Sequence, residues 1–170
     1  LIQECGLAPK HIAAVTFTNK AAREMKERAT ALLNGKDVRG LAVSTFHNLG
    51  LNILRAEHKR AGYKPGFTIF DAQDSAALMR ELLRTDEPIG GEAEERVLQA
   101  VSHWKNSLVL PEEALAQAAD EHEARAAKLY AQYQRQLRAY NAVDFDDLIT
   151  QPVMLFRQHP RSEEHTSELQ

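Results

Sequence analysis

One junction constrains the architecture more than any other part of the chain. An apolar, β-prone run from residue 11 stops at Thr18-Asn19, and a helical pattern starts at once and continues through Arg28. A strand that enters a helix with almost no turn belongs to α/β folds with parallel strands. The same geometry leaves the first N–H groups of the helix unpaired, and such groups hold anions, a backbone phosphate among them. Phe17 stands where a turn residue is expected, and an aromatic ring there has a face that could stack a base.

The pattern then repeats. Residues 41–46 read as a second short strand and run directly into a helix over residues 47–62. In the first helix, residues 19–33, the side chains Ala22, Met25, Ala29 and Leu32 recur on one face, and Asn34-Gly35 supplies a C-terminal stop. Strand–helix–strand–helix predicts a parallel sheet. Beyond Gly62 the character changes: residues 63–70 are extended around Pro65-Gly66, and almost everything after Asp71 reads as helix. Asp71 is an N-cap candidate for a helix to residue 84, and residues 86–91 read as a loop. Val97, Val101 and Trp104 form the stripe of a helix over 93–106, and Pro111 suits a first helical turn. Leu129, Tyr133 and Leu137 mark a long helix over 121–140. Residues 141–143 break it, and Asp144 then caps a further helix that Pro152 kinks unless it falls in the first turn.

Charge separates the same regions. The net charge is −3, yet ten Lys and Arg face five Asp and Glu through residue 62, and eleven face nineteen beyond it. A basic section can steer a polyanion even when the whole chain is mildly acidic. Cys5 is the sole cysteine, so no intrachain disulfide or cysteine metal cluster can form, which fits a reducing compartment. No run of residues reads as a membrane span or a signal segment.

Three constellations could carry chemistry. At Thr16-Phe17-Thr18-Asn19-Lys20, Phe17 could stack a base while Thr18 and Asn19 bond phosphate or sugar; equally, Thr18 or Asn19 is a plain cap and Phe17 a core ring. Ser44-Thr45-Phe46-His47 offers two hydroxyls and an imidazole at the second junction, or ordinary capping and one satisfied histidine. In a parallel sheet both junctions fall on the edge where ligands collect, and that coincidence favours binding. Asp144, Asp146 and Asp147 could hold a divalent cation, but acids at a helix start are better explained by the helix itself. The remaining histidines lack metal-ligand spacing. Gly35-Lys36 is no phosphate loop, because Thr30 and Asp37 replace the glycine and the hydroxyl residue it requires.

Residues 14–28 (Ala14-Val-Thr-Phe-Thr-Asn-Lys-Ala-Ala-Arg-Glu-Met-Lys-Glu-Arg28) resemble motif Ia of the Rep/UvrD-type superfamily 1 DNA helicases. Ser44-Thr-Phe-His-Asn-Leu-Gly50 resembles motif Ib, and Val143-Asp-Phe-Asp-Asp-Leu-Ile149 the re-entry into the first motor domain. Trp104-Lys105-Asn106 is similar to one branch of the same family. The resemblance implies an α/β fold: part of a RecA-like, P-loop NTPase parallel-sheet domain carrying a large all-α insertion. It divides the chain into motor residues 1–47, a helical insertion over 48–143 and a motor return over 144–160. Phe17, Thr18, Asn19, Lys20, Thr45, Phe46 and His47 are its implied single-stranded DNA contacts. The parent is expected to be an ATP- and magnesium-dependent 3′-to-5′ helicase of bacterial cytoplasm, with replication or repair proteins as partners.

The family's nucleotide-binding loop falls upstream of Leu1 and its magnesium acids downstream of Pro160. This chain is therefore expected to be an inactive fragment with no cofactor or metal site of its own. Residues 161–170 read, residue for residue, as a translated sequencing adapter and are set aside from the fold. With neighbouring strands of the motor sheet absent, the two strands present are expected not to pair, leaving their edges open. The rival reading, from a different class, is a non-enzymatic helical module whose acidic block, residues 71–140, docks another protein.

Overall fold

The computed structural model describes residues 1–33, 40–84 and 91–158. The Asn34-Gly35 stop, most of the 86–91 loop, His159 and residues 160–170 lie outside them. A four-residue helix α1 (Ile2–Cys5) and a 3-10 turn (Pro9–His11) lead into β1 (Ala13–Thr16) and α2 (Asn19–Leu32). β2 (Ala42–Thr45) then enters α3 (Phe46–Ala56) without a spacer. Thr18 and Thr45 each occupy the cap position: their hydroxyl oxygens accept the N–H of Ala21 at 3.1 Å and of Asn48 at 3.2 Å.

β1 and β2 pair directly and in parallel, with Ala13 opposite Ala42 and Thr16 opposite Thr45. The expectation that these strands stay unpaired is therefore corrected. Their backbone groups satisfy one another, as when Ala42 donates its N–H to the Ile12 carbonyl at 3.2 Å. The apolar stripe expected on α2 is only partly covered. Ala22 is buried, but Leu32 is 75% exposed. Leu33, one position further on, is buried instead, so the covered face at the end of α2 carries Leu33 and turns Leu32 outward.

The second part is helical. It comprises β3 (Thr68–Ile69), α4 (Ala72–Arg84), α5 (Gly91–Asn106), α6 (Pro111–Ala116), α7 (Glu121–Ala139), β4 (Ala142–Val143) and α8 (Asp147–Gln158). Asp71 caps α4 through bonds from the N–H groups of Gln73 and Asp74, and Asp120 caps α7 through Glu123. Leu129, Tyr133 and Leu137 of α7 are buried against Met79 and Leu82 of α4 and Val101 of α5. That is the main core.

Asn141 ends α7 in a left-handed turn, with φ of 50°, and its side chain bonds Lys64 on both sides of the amide. Ala142 and Val143, read in sequence as a simple break, instead pair in parallel with Thr68 and Ile69. A second core follows, in which Leu54 of α3, Tyr63, Val143 and Leu148 of α8 meet. α8 thus packs on α3. Pro152 falls past the first turn of α8.

Candidate nucleic-acid interface

Parallel register fixes what stands at the end of the small sheet. Because Thr16 lies opposite Thr45, the next residues, Phe17 and Phe46, leave adjacent strands side by side. Their ring centroids are 5.3 Å apart and the planes are tilted by 46°. Phe17 is 85% exposed and Phe46 42%, so neither ring is a core residue. Adjacent exposed rings form an apolar surface of the kind that stacks on a partner.

Both helices start at this shared end of the two strands. Both α2 and α3 lack an acidic residue in the first turn, so no side chain of that turn offsets the positive end of either helix. Asn19, Lys20 and His47 are exposed on those first turns, and Lys20 lies 4.0 Å from Glu24, a loose surface pair. Thr18 is exposed and Thr45 buried, each with its oxygen committed as a cap and its O–H proton free to donate elsewhere. The structure brings Phe17, Phe46 and His47 onto one edge and places Thr18, Asn19, Lys20 and Thr45 at the helix starts beside them.

One neighbour was not foreseen as a binding residue. Phe145 is 51% exposed and meets the His47 ring edge-on, with centroids 6.2 Å apart. Its signal in the sequence is the same as that of Phe17: a large aromatic set in a polar turn, Asp144-Phe145-Asp146. Phe17, Phe46, His47 and Phe145 together present aromatic rings from three separate stretches of chain.

The acids around Phe145 are already engaged. Lys105 Nζ, from the end of α5, donates to Asp144 Oδ2 at 2.6 Å and to Asp147 Oδ1 at 3.1 Å. The Tyr133 hydroxyl donates to the same Asp144 oxygen at 3.1 Å. Asp144 and Asp147 also accept each other's backbone N–H, at 2.9 and 3.3 Å, which closes the start of α8. Burial pushes the Asp147 carboxyl up from its ordinary value, against the pull of Lys105. With an ammonium already between the carboxylates, the cluster does not fit a nucleotide-bound magnesium ion. Among the described residues no three His, Cys, Asp or Glu side chains are grouped to hold a metal. Nor is any helix among them long and apolar enough to cross a membrane.

Comparison with known proteins places the chain in a family. Over 162 residues the chain is 44% identical to the ATP-dependent DNA helicase Rep of Escherichia coli (strain K12), covering 94% of this chain and 24% of that protein. The ATP-dependent DNA helicase Rep of Salmonella typhimurium gives the same figures. Identity to the ATP-dependent DNA helicase PcrA of Staphylococcus epidermidis is 39% over 166 residues, or 97% of this chain and 23% of the relative. The chain thus spans about a quarter of the length of the curated relatives it matches. The family model for the UvrD/REP helicase N-terminal domain matches residues 1–169, and the chain belongs to that family.

Proposed function

We propose that this chain supplies one wall of the single-stranded DNA track of an ATP-dependent, 3′-to-5′ DNA helicase. The observation that carries the reading is the exposed Phe17–Phe46 pair at the shared end of two parallel strands. Bases stack on the rings of Phe17 and Phe46, with Phe145 and His47 continuing the surface. The backbone phosphates lie toward Thr18, Asn19, Lys20 and Thr45, where helix N–H groups and a lysine attract negative charge. Such a face binds single strands with little sequence preference, because every base has a π-face.

In this reading the sheet and its return, residues 1–47 and 144–160, belong to a RecA-like first motor domain, and residues 48–143 are its helical insertion. ATP and magnesium act in the parent protein through residues that this chain does not supply, since phosphoryl transfer needs a phosphate loop, a magnesium acid and an arginine together. The fragment itself is inactive as an ATPase. The parent works in bacterial cytoplasm alongside replication or repair proteins.

Titrating the 170-residue chain into labelled oligothymidine and into a duplex of equal length, at several salt concentrations, tests the proposal. The expected result is salt-dependent binding that prefers the single strand. Equal affinity for both, or none for either, would refute it, and DNA-stimulated ATP turnover by the chain alone would refute the claim of inactivity.

A further inference from the structure

We propose that the end of α5 positions Phe145, so that the helical block sets part of the aromatic face; this rests on the single-stranded DNA reading above. Phe145 lies in a turn whose three acidic neighbours are each tied to one of two consecutive residues of α5. Lys105 holds Asp144 and Asp147, and Asn106 Nδ2 donates to Asp146 Oδ1 at 3.0 Å. The amide of Asn106 is itself held by the Ser102 carbonyl at 2.9 Å, one turn back along α5. The turn therefore moves with α5 and not independently of it.

Lys105 is an unusual choice for a purely structural contact. It is only 3% exposed, and a buried ammonium is costly unless its donors are met. Here they are met by two carboxylates and by the face of Tyr133, 5.3 Å away. Without the lysine, two buried carboxylates would face each other across the start of α8 and the turn would have to open. Phe145 sits between them in sequence, and its ring is the one that meets His47. The positioning residues are therefore Lys105 and Asn106, acting on DNA through Phe145.

The test uses the 170-residue chain with oligothymidine carrying 5-iodouracil, which forms photoadducts with aromatic side chains in contact with it. Adducts at Phe17 and Phe145 are quantified by peptide mass spectrometry for the unaltered chain, Lys105→Met and Asn106→Ala. Circular dichroism reports folding. Asn106 is exposed, so its variant keeps the test available if Lys105→Met does not fold. The expected result is a severalfold loss of the Phe145 adduct relative to the Phe17 adduct in folded variants; general destabilisation would lower both alike. An unchanged ratio in a folded variant overturns the inference. Adducts at Phe17 without any at Phe145 in the unaltered chain also overturn it, leaving the DNA reading intact. No adduct at Phe17 removes the DNA reading and this inference with it.

Discussion

The bare Cα of Gly50 on α3 lies directly against the backbone carbonyl of Leu148 on α8. That carbonyl is the one that residue 152 would bond in a regular helix, and Pro152 has no N–H to offer. A Cβ at position 50 would run into the Leu148 oxygen and stand 2.9 Å from its carbon, a backbone contact that no rotamer can relieve. Gly50→Ala should therefore force the helices apart and cost about 1–3 kcal/mol, measured by urea unfolding. Pro152→Ala restores a donor and draws the carbonyl back toward the α8 axis. The double variant should thus lose less than the two single losses added together; strict additivity would mean that the two sites do not share this contact.

Thr45 joins the fold to the proposed interface in a different way. Its hydroxyl oxygen caps α3 from a buried position at the end of β2. Thr45→Ala should cost about 1 kcal/mol in thermal or urea unfolding, and Thr45→Ser should recover most of it because the capping oxygen remains. If the serine variant is as unstable as alanine, the threonine methyl and not the cap is what matters there.

The parts of this structure that are local in sequence were the legible ones. A hydroxyl before a helix, as at Thr18 and Thr45, an aspartate before a helix at Asp71 and a proline in a first turn at Pro111 each act within four residues. The stripe Leu129, Tyr133 and Leu137 was equally readable, since its spacing is the helix repeat and all three are buried. What escaped depends on distance along the chain. The pairing of β3 with β4 involves two residues on each side, too few for a period-two pattern. Lys105 meets Asp144 and Asp147 across 39 and 42 residues, and nothing next to any of them announces a partner. Phe17 and Phe46 were each visible as aromatics at a junction. That they touch follows only from the register of β1 on β2, which no single stretch encodes.

Three tyrosines give the fold an alkaline limit. Burial, as the leading cause in each case, pushes the hydroxyls of Tyr63, Tyr130 and Tyr133 well above the ordinary tyrosine value of 10.0. The nearby carboxylates of Asp144 and Asp147 push in the same direction. The unfolded chain loses these protons from about pH 10 upward while the folded chain keeps them, so the unfolded state binds fewer protons there. Stability should hold below about pH 10 and fall above it as the unfolded state becomes ionised. In a pH titration the tyrosinate absorbance of these residues should rise together with loss of the circular dichroism signal. Smooth ionisation of all the tyrosines while the helices persist would contradict the burial seen here.

The aromatic pair provides the sharpest separation of binding from stability. Phe17 is 85% exposed, so Phe17→Ala removes little that the fold uses, and unfolding should shift by no more than about 0.5 kcal/mol. A base that stacks on it would lose about 1–3 kcal/mol of binding, read as a weaker dissociation constant for oligothymidine. Phe46 is less exposed and begins α3, so Phe46→Ala should lower stability as well as affinity. Because the rings lie 5.3 Å apart, each helps to hold the other in place, and the double variant should lose less binding than the sum of the single losses. Phe17→Trp keeps a larger stacking face and should bind at least as well as the unaltered chain. If Phe17→Ala binds oligothymidine as tightly as before, the most exposed ring on the sheet edge has no part in holding DNA, and the grip must lie elsewhere.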